Sequence, residues 1–267
     1  MMKKLIIGLV ALSCQQAMAA SSPSAVAELA ALDVALPALI DISTTHPVFD
    51  FDGDGCLPSA GIGREGQQNQ GLDTGGGLTE NCRKSDFLKT SNTLHRYVCT
   101  TVSTDEFCSH YYALYFLKDQ TVDGLGGGHK NDWENAAVWT KNGNVTHGSY
   151  SAHGNLYTKP VSELPLEQGH LKIVYHKDGG LTHALRFAKS NEYAENPYGA
   201  FVVPPITSWY TLTGDNVSNP VMREKLNTYN YGSASIAMKN SNFLNTVNSD
   251  RPSGYPQFTQ QDVDSSR

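Results

Sequence analysis

The sequence predicts an all-β sandwich with small helical additions, and three observations predict it. The segment YYALYFLKD, residues 111–119, is apolar on both faces, as a strand at the centre of a sandwich must be. LKIVYH and LTHALRFA flank KDGG, which reads as a hairpin around Asp178 and Gly179. No long helical pattern alternates with the strands, which argues against a parallel α/β sheet. The 24 glycines and 13 tyrosines agree, since they suit many turns between half-buried strands.

Taken in chain order, residues 1–19 carry Lys3 and Lys4, an apolar run from Leu5 to Leu12, and Ala17-Met18-Ala19. That is the layout of a secretory signal with a small-x-small cleavage site, and it predicts a secreted chain of about 248 residues. Lipid anchoring through Cys14 is the alternative, but Leu12 sits in the wrong place for that processing. No other stretch is long and apolar enough to span a bilayer as a helix. Residues 20–45 form an extension with a short helix expected from about Ser24, ending near Pro37. Residues 46–250 make the sandwich domain, and residues 251–267 a polar tail expected to fray.

Without its signal the chain has 18 basic and 26 acidic residues, a formal net charge of −8. A polyanionic partner would meet net repulsion, so nucleic acid is not an expected ligand. Four cysteines remain, Cys56, Cys82, Cys99 and Cys108, and an even count in an exported chain implies two disulfides. Three pairings are possible. Joining Cys56 to Cys82 and Cys99 to Cys108 is favoured because it closes the loops of lowest entropic cost. A zinc site is the rival reading, but no CxxC pair is present.

Within HPVFDFDGDGC, the DxDxDG core looks like the start of a calcium loop. Counted from Asp50, however, position twelve is Gly61 rather than a bidentate glutamate, and a tight acidic turn is the better reading. Residues 61–81 are polar and glycine-rich and predict a long loop between the first two cysteines. WENAAVW, residues 133–139, alternates as a strand. Pro204 and Pro205 demote the segment around PPITSWY to an edge or broken strand. MREKLNTY predicts a short helix and GSASIAM a further strand.

The chemistry concentrates in GHKNDWE, residues 128–134. On a strand, Asp132 and Glu134 project to one face while Trp133 points the other way. Ala136 and Val138 continue the carboxylate face into the core, so the two acids stand at the rim of the sandwich. Two carboxylates this close raise each other's pKa unless a cation or a proton lies between them. A glycosidase pair would need to flank a sugar from opposite sides of a cleft, which neighbours on one strand face cannot easily do. HExxH is absent. Asp119, at the end of the preceding strand, and His129, after a glycine-rich turn, can converge on the same point. The four residues predict a hard-cation site for Mg²⁺ or Ca²⁺, one that binds rather than cuts.

The segment KDQTVDGLGGGHKNDWENAAVW resembles the hallmark of the necrosis-inducing proteins, also called Nep1-like proteins, whose heptapeptide reads GHRHDWE. FDFDGDGCLPS, SAHGNL, KDGGLTHALRFA and NTYNYGSASIAMKNSNF match further, in the same order, from about His46 to Asn248. The resemblance implies an actinoporin-like β-sandwich with a divalent cation near its membrane-facing rim. It also implies a toxin that binds the sugar heads of glycosylated sphingolipids in plant plasma membranes, damages the membrane and is not an enzyme.

By the same resemblance Asp119, His129, Asp132 and Glu134 take the cation-ligand positions, and His153 lines the same pocket. Trp209 and Tyr210 are expected as aromatic contacts for the ligand, with core packing as the plain alternative. The chain is expected to act as a monomer. It departs from the heptapeptide at Lys130 and Asn131, and its glycine run is two residues longer. A cation-dependent carbohydrate-binding or adhesion module that leaves membranes intact is the alternative function, and a metal-dependent hydrolase a third.

Overall fold

The computed structural model describes residues 28–180 and 182–267. The expected signal and the start of the expected extension lie outside these residues. In chain order the strands are β1 (Val48–Phe51), β2 (Pro58–Ser59), β3 (Thr93–Val102), β4 (Asp105–Asp119), β5 (His129–Lys141), β6 (Asn144–Ala152), β7 (Asn155–Pro160), β8 (Leu166–Glu167), β9 (His170–Asp178), β10 (Thr182–Phe187) and β11 (Ile206–Ser208). Three helices follow, α1 (Asn219–Thr228), α2 (Phe243–Asp250) and α3 (Gln260–Ser265).

The strands form two sheets. The larger runs β11-β3-β4-β5-β6-β7, with β2 added on β4, and β3 to β7 run antiparallel to one another in succession. The smaller runs β1-β9-β10, with β8 beside β9. Period-2 alternation decides what each face meets. Tyr112, Leu114, Phe116, Ala136 and Val138 point toward the small sheet and pack with Phe49, Phe51, Ile173, Tyr175 and Leu185. Phe116 stacks on Tyr175 with ring centroids 3.7 Å apart, which fastens the two sheets face to face. Tyr111, Tyr115, Trp133 and Trp139 point the other way and are roofed by Met222, Leu226, Phe243 and Val247 from α1 and α2.

The expected hairpin is β9 and β10, with Asp178 opposite Thr182, and the strand after Pro205 is the short edge strand β11, parallel to β3. Cys56 is bonded to Cys82, and Cys99 to Cys108, its direct cross-strand neighbour.

Three expectations are corrected. From Glu28 the extension is not helical: the Asn92 side chain accepts from the Leu32 N–H (2.8 Å) and donates to the Leu32 carbonyl (3.1 Å), and Ala35 bridges to Thr207. A short apolar segment gains more from these tertiary bonds than from an isolated helical turn. GSASIAM is not a strand. Ile236 and Met238 are fully buried, so its alternation is real, but it packs as a turn in the roof beside α1 and α2. The tail does not fray: a capping box between Thr259 and Asp262 starts α3, Val263 is buried, and Ser266 accepts the Cys99 N–H at 2.9 Å.

Candidate cation and ligand site

At one end of the sandwich three chain reversals come together: residues 119–129 between β4 and β5, residues 152–155 between β6 and β7, and the turn between β9 and β10. Asp119 lies directly opposite His129. The turn between them depends on Gly128, whose φ is +72° and where a Cβ would meet the Asp119 carbonyl oxygen at 1.9 Å. No other residue type fits this close approach.

The reversals surround a cavity of about 380 Å³ lined by Asp119, His129, Asp132 and Glu134, so the four predicted donors share one wall. Asp132 and Glu134 stand above Ala136 and Val138 on the face toward the small sheet, as the alternation predicts. Each donor is oriented by a partner. Asp119, almost fully buried, accepts on Oδ1 from the His183 backbone N–H at 2.8 Å, and His183 Nδ1 lies at the same distance. His183 Nε2 in turn faces the Asp54 carbonyl oxygen at 3.2 Å. The other Asp119 oxygen is 3.8 Å from His129 Nε2, while His129 Nδ1 is 2.7 Å from the Asn131 carbonyl oxygen. Tyr175 donates to Asp132 at 3.1 Å, and the Ser151 hydroxyl donates to Glu134.

These partners do not neutralise the acids. Burial, reinforced by the Asp119 carboxylate, pushes Asp132 up to about 6, against the opposing pull of His129, the Tyr175 hydrogen bond and His183. Glu134 is held well above the usual carboxylate range, by burial first and then by Asp132 and Asp119. Neutral carboxyls or a shared cation are the two ways to relieve such a cluster.

Three carboxylates and one imidazole are an oxygen-rich donor set of the kind that holds a divalent cation. Among the described residues the one set of three such donors drawn within 4.8 Å of one another is Cys99, Glu106 and Cys108. Its two sulfurs are bonded to each other and offer no thiolate, so it is not a metal centre. Among the described residues no three of the cavity donors lie within that distance of one another, so joint ligation requires their side chains to close on the ion.

His153 also lines the cavity. Its backbone takes φ +52°, and its ring nitrogens face Asp178 Oδ2 (2.8 Å) and Thr182 Oγ1 (3.2 Å), which ties the β6–β7 turn to the β9–β10 turn. The expectation for Trp209 and Tyr210 is corrected. Trp209 is fully buried under the roof, Tyr210 stacks with Arg96 and Arg223, and neither lines the cavity. Pro204 and Pro205 pull the chain onto the edge of β3, so Trp209 turns inward, where its backbone N–H reaches the His95 carbonyl at 2.7 Å. Asn131, the departure in the heptapeptide, has φ +60° and accepts from Tyr115 at 2.5 Å, turned away from the cavity. Asp50, on β1 just before the acidic turn, is structural, since its carboxylate accepts from the backbone N–H groups of Glu195 and Asn196 and from the Asn196 amide.

Sequence reasoning missed His183, Tyr175 and Ser151. The first two lie on the inward positions of strands β10 and β9, with Leu185 and Ile173, and period-2 alternation alone marks them.

Residues 42–249 match the family described as Necrosis inducing protein (NPP1). NLP effector protein 2 of Phytophthora capsici is 28% identical over 201 residues, covering 72% of this chain and 71% of the relative. Necrosis-inducing protein NPP1 of Phytophthora nicotianae is 26% identical over 202 residues, covering 73% and 75%. Among solved structures, the non-toxic HaNLP3 protein superposes with a TM-score of 0.64 at 22% identity, over 85% of this chain and 99% of that one. NLPPya in complex with mannosamine gives 0.62 at 23%, over 86% and 97%.

Proposed function

Because the chain belongs to the necrosis-inducing protein (NPP1) family, we propose that it is a secreted cytolytic protein. It binds the sugar heads of plant plasma-membrane sphingolipids through a divalent cation and damages the membrane. The observation that carries this reading is the buried cluster of Asp119, Asp132 and Glu134 beside His129 in one open cavity at the rim. Asp119, His129, Asp132 and Glu134 would hold the cation, which when bound would supply a positive centre for a sugar hydroxyl. The protein's own residues hold the geometry: His183 fixes Asp119, Tyr175 fixes Asp132 and Ser151 fixes Glu134. We read the action as binding rather than covalent catalysis, because Asp132 and Glu134 are neighbours on one strand face. Two disulfides fit export to an oxidising compartment. The amino-sugar complexes of NLPPya, a protein of similar fold, support a saccharide as the ligand class.

The test is dye release from vesicles containing plant glycosyl inositol phosphoryl ceramides. Release that a chelator stops and a divalent cation restores is the expected result. A folded protein that binds the vesicles without release supports the second reading, a carbohydrate-binding module. The similar fold of the non-toxic HaNLP3 protein favours keeping that reading, because fold alone does not entail lysis.

A further inference from the structure

Alternation along β5 places Asp132 and Glu134 on the face toward the small sheet, but the same count puts His129 on the other face. His129, Asn131 and Trp133 are spaced two apart, and Trp133 belongs to the cluster under the roof. Asp119 shows the same misfit on β4, since Tyr111 and Tyr115, an even number of residues away, also belong to the roof cluster. Yet Asp119 meets His183 of the small sheet, and His129 lines the cavity with its Nε2 3.8 Å from Asp119. Both strands therefore change phase before they reach the rim.

The change falls at Asn131. The ladder pairs Phe116 with Asp132 and Lys118 with Lys130 and passes over Leu117 and Asn131 between them. The Leu117 carbonyl accepts instead from the Leu72 N–H at 2.8 Å. Asn131 takes φ +60°, in the left-handed region that a regular strand does not enter. Its side chain is held on the roof side, where Oδ1 accepts from Tyr115 at 2.5 Å and a Cβ at Gly71 would meet the same oxygen at 2.5 Å. Its carbonyl oxygen lies 2.7 Å from His129 Nδ1, which draws the ring proton to Nδ1 and leaves the lone pair on Nε2, the nitrogen facing Asp119. Asparagine, aspartate and histidine are the non-glycine residues most enriched in the left-handed region. Asn131 and the second histidine of GHRHDWE thus meet one backbone requirement, with no ligand role needed for either.

We infer that Asn131 is a positioning residue of the cation site: its left-handed backbone carries His129 across to the face of Asp132 and Glu134, and its carbonyl selects Nε2 as the ligating nitrogen. This rests on the cation reading above and adds to it the backbone conformation that the site depends on.

Calorimetry with Mn²⁺, and long-range ¹H–¹⁵N spectra of the chelated protein in mildly alkaline buffer, test it. Asn131→Val, whose branched side chain disfavours the left-handed region, binds Mn²⁺ on the order of tenfold more weakly. Asn131→Gly, which enters that region freely, stays within about twofold of the wild type. Tyr115→Phe, which removes only the side-chain hydrogen bond, does the same. Asn131→Ala gives a loss of the same sign as valine with less crowding, and serves should the valine variant fail to fold. In a His129→Ala background Asn131→Val costs no further affinity, because its effect runs through the imidazole. The spectra show His129 protonated on Nδ1 in the wild type and in Asn131→Gly, and no longer so in Asn131→Val. Equal affinities for the glycine and valine variants, or an equal loss from Asn131→Val with and without His129, overturn the positioning role alone. A wild type that binds no Mn²⁺ removes the cation reading, and the spectra then decide: an Nδ1 proton kept in all three proteins overturns the positioning role as well.

Discussion

Two acidic motifs of this chain look alike in sequence and play opposite parts in the fold. Asp50, from FDFDGDG, and Asp132 with Glu134, from GHKNDWE, are all withdrawn from solvent to a large degree. Asp50 is wrapped by N–H donors from Glu195 and Asn196, so it holds a loop in place. Asp132 and Glu134 receive one hydroxyl each and face one another and Asp119. The number of donors aimed at a buried carboxylate, more than its burial, separates a structural acid from one that needs a cation.

The largest expected contrast is in stability. Asp50→Ala takes the acceptor from two buried donors of Asn196 and from the half-buried Glu195 N–H and lowers the unfolding free energy by roughly 3–5 kcal/mol, equally with and without chelator, as urea melts will show. Glu134→Gln removes repulsion and leaves the chelated protein at least as stable as the wild type. The same variant abolishes the gain that a divalent cation at a hundredfold its Kd gives the wild type, about 2.7 kcal/mol. A loss of stability in chelated Glu134→Gln breaks the contrast.

A smaller effect is expected from pH. Asp132 moves from the ordinary value of 3.8 up to about 6 on folding, so the folded state holds the extra proton between these limits. Without cation, stability therefore falls as pH rises from about 4 through 6, by on the order of 3 kcal/mol. Burial also pushes Asp52 up to about 6, against Arg186, which adds a slope of the same sign. The difference between melts with and without cation isolates the cavity, and that difference grows as pH rises through 6. The smallest expected effect is that of His183→Asn, which loosens Asp119 and weakens cation affinity roughly tenfold in calorimetry while Asp50 and its loop are untouched.

How much of this was legible in the sequence follows from the range of each interaction. Asp132 and Glu134 were placed at the rim because period 2 along a single strand fixes their face, and Asp119 and His129 because one turn joins them. His183 and Tyr175 belong to the other sheet, and only the packing of Phe116 on Tyr175 brings them over the acids. Trp209 was misplaced for the same reason, since its burial depends on the C-terminal roof packed over the large sheet. GSASIAM showed genuine alternation, but a strand also needs an edge to pair with, and the sequence of one segment carries no sign of its neighbours.

The most direct measurement is anomalous diffraction from a crystal of the protein soaked in Mn²⁺. The account predicts one strong peak in the cavity, ligated by carboxylate oxygens among Asp119, Asp132 and Glu134 and by His129, with none at the Asp50 turn. A peak at the Asp50 turn with an empty cavity, or no peak at either, would contradict it.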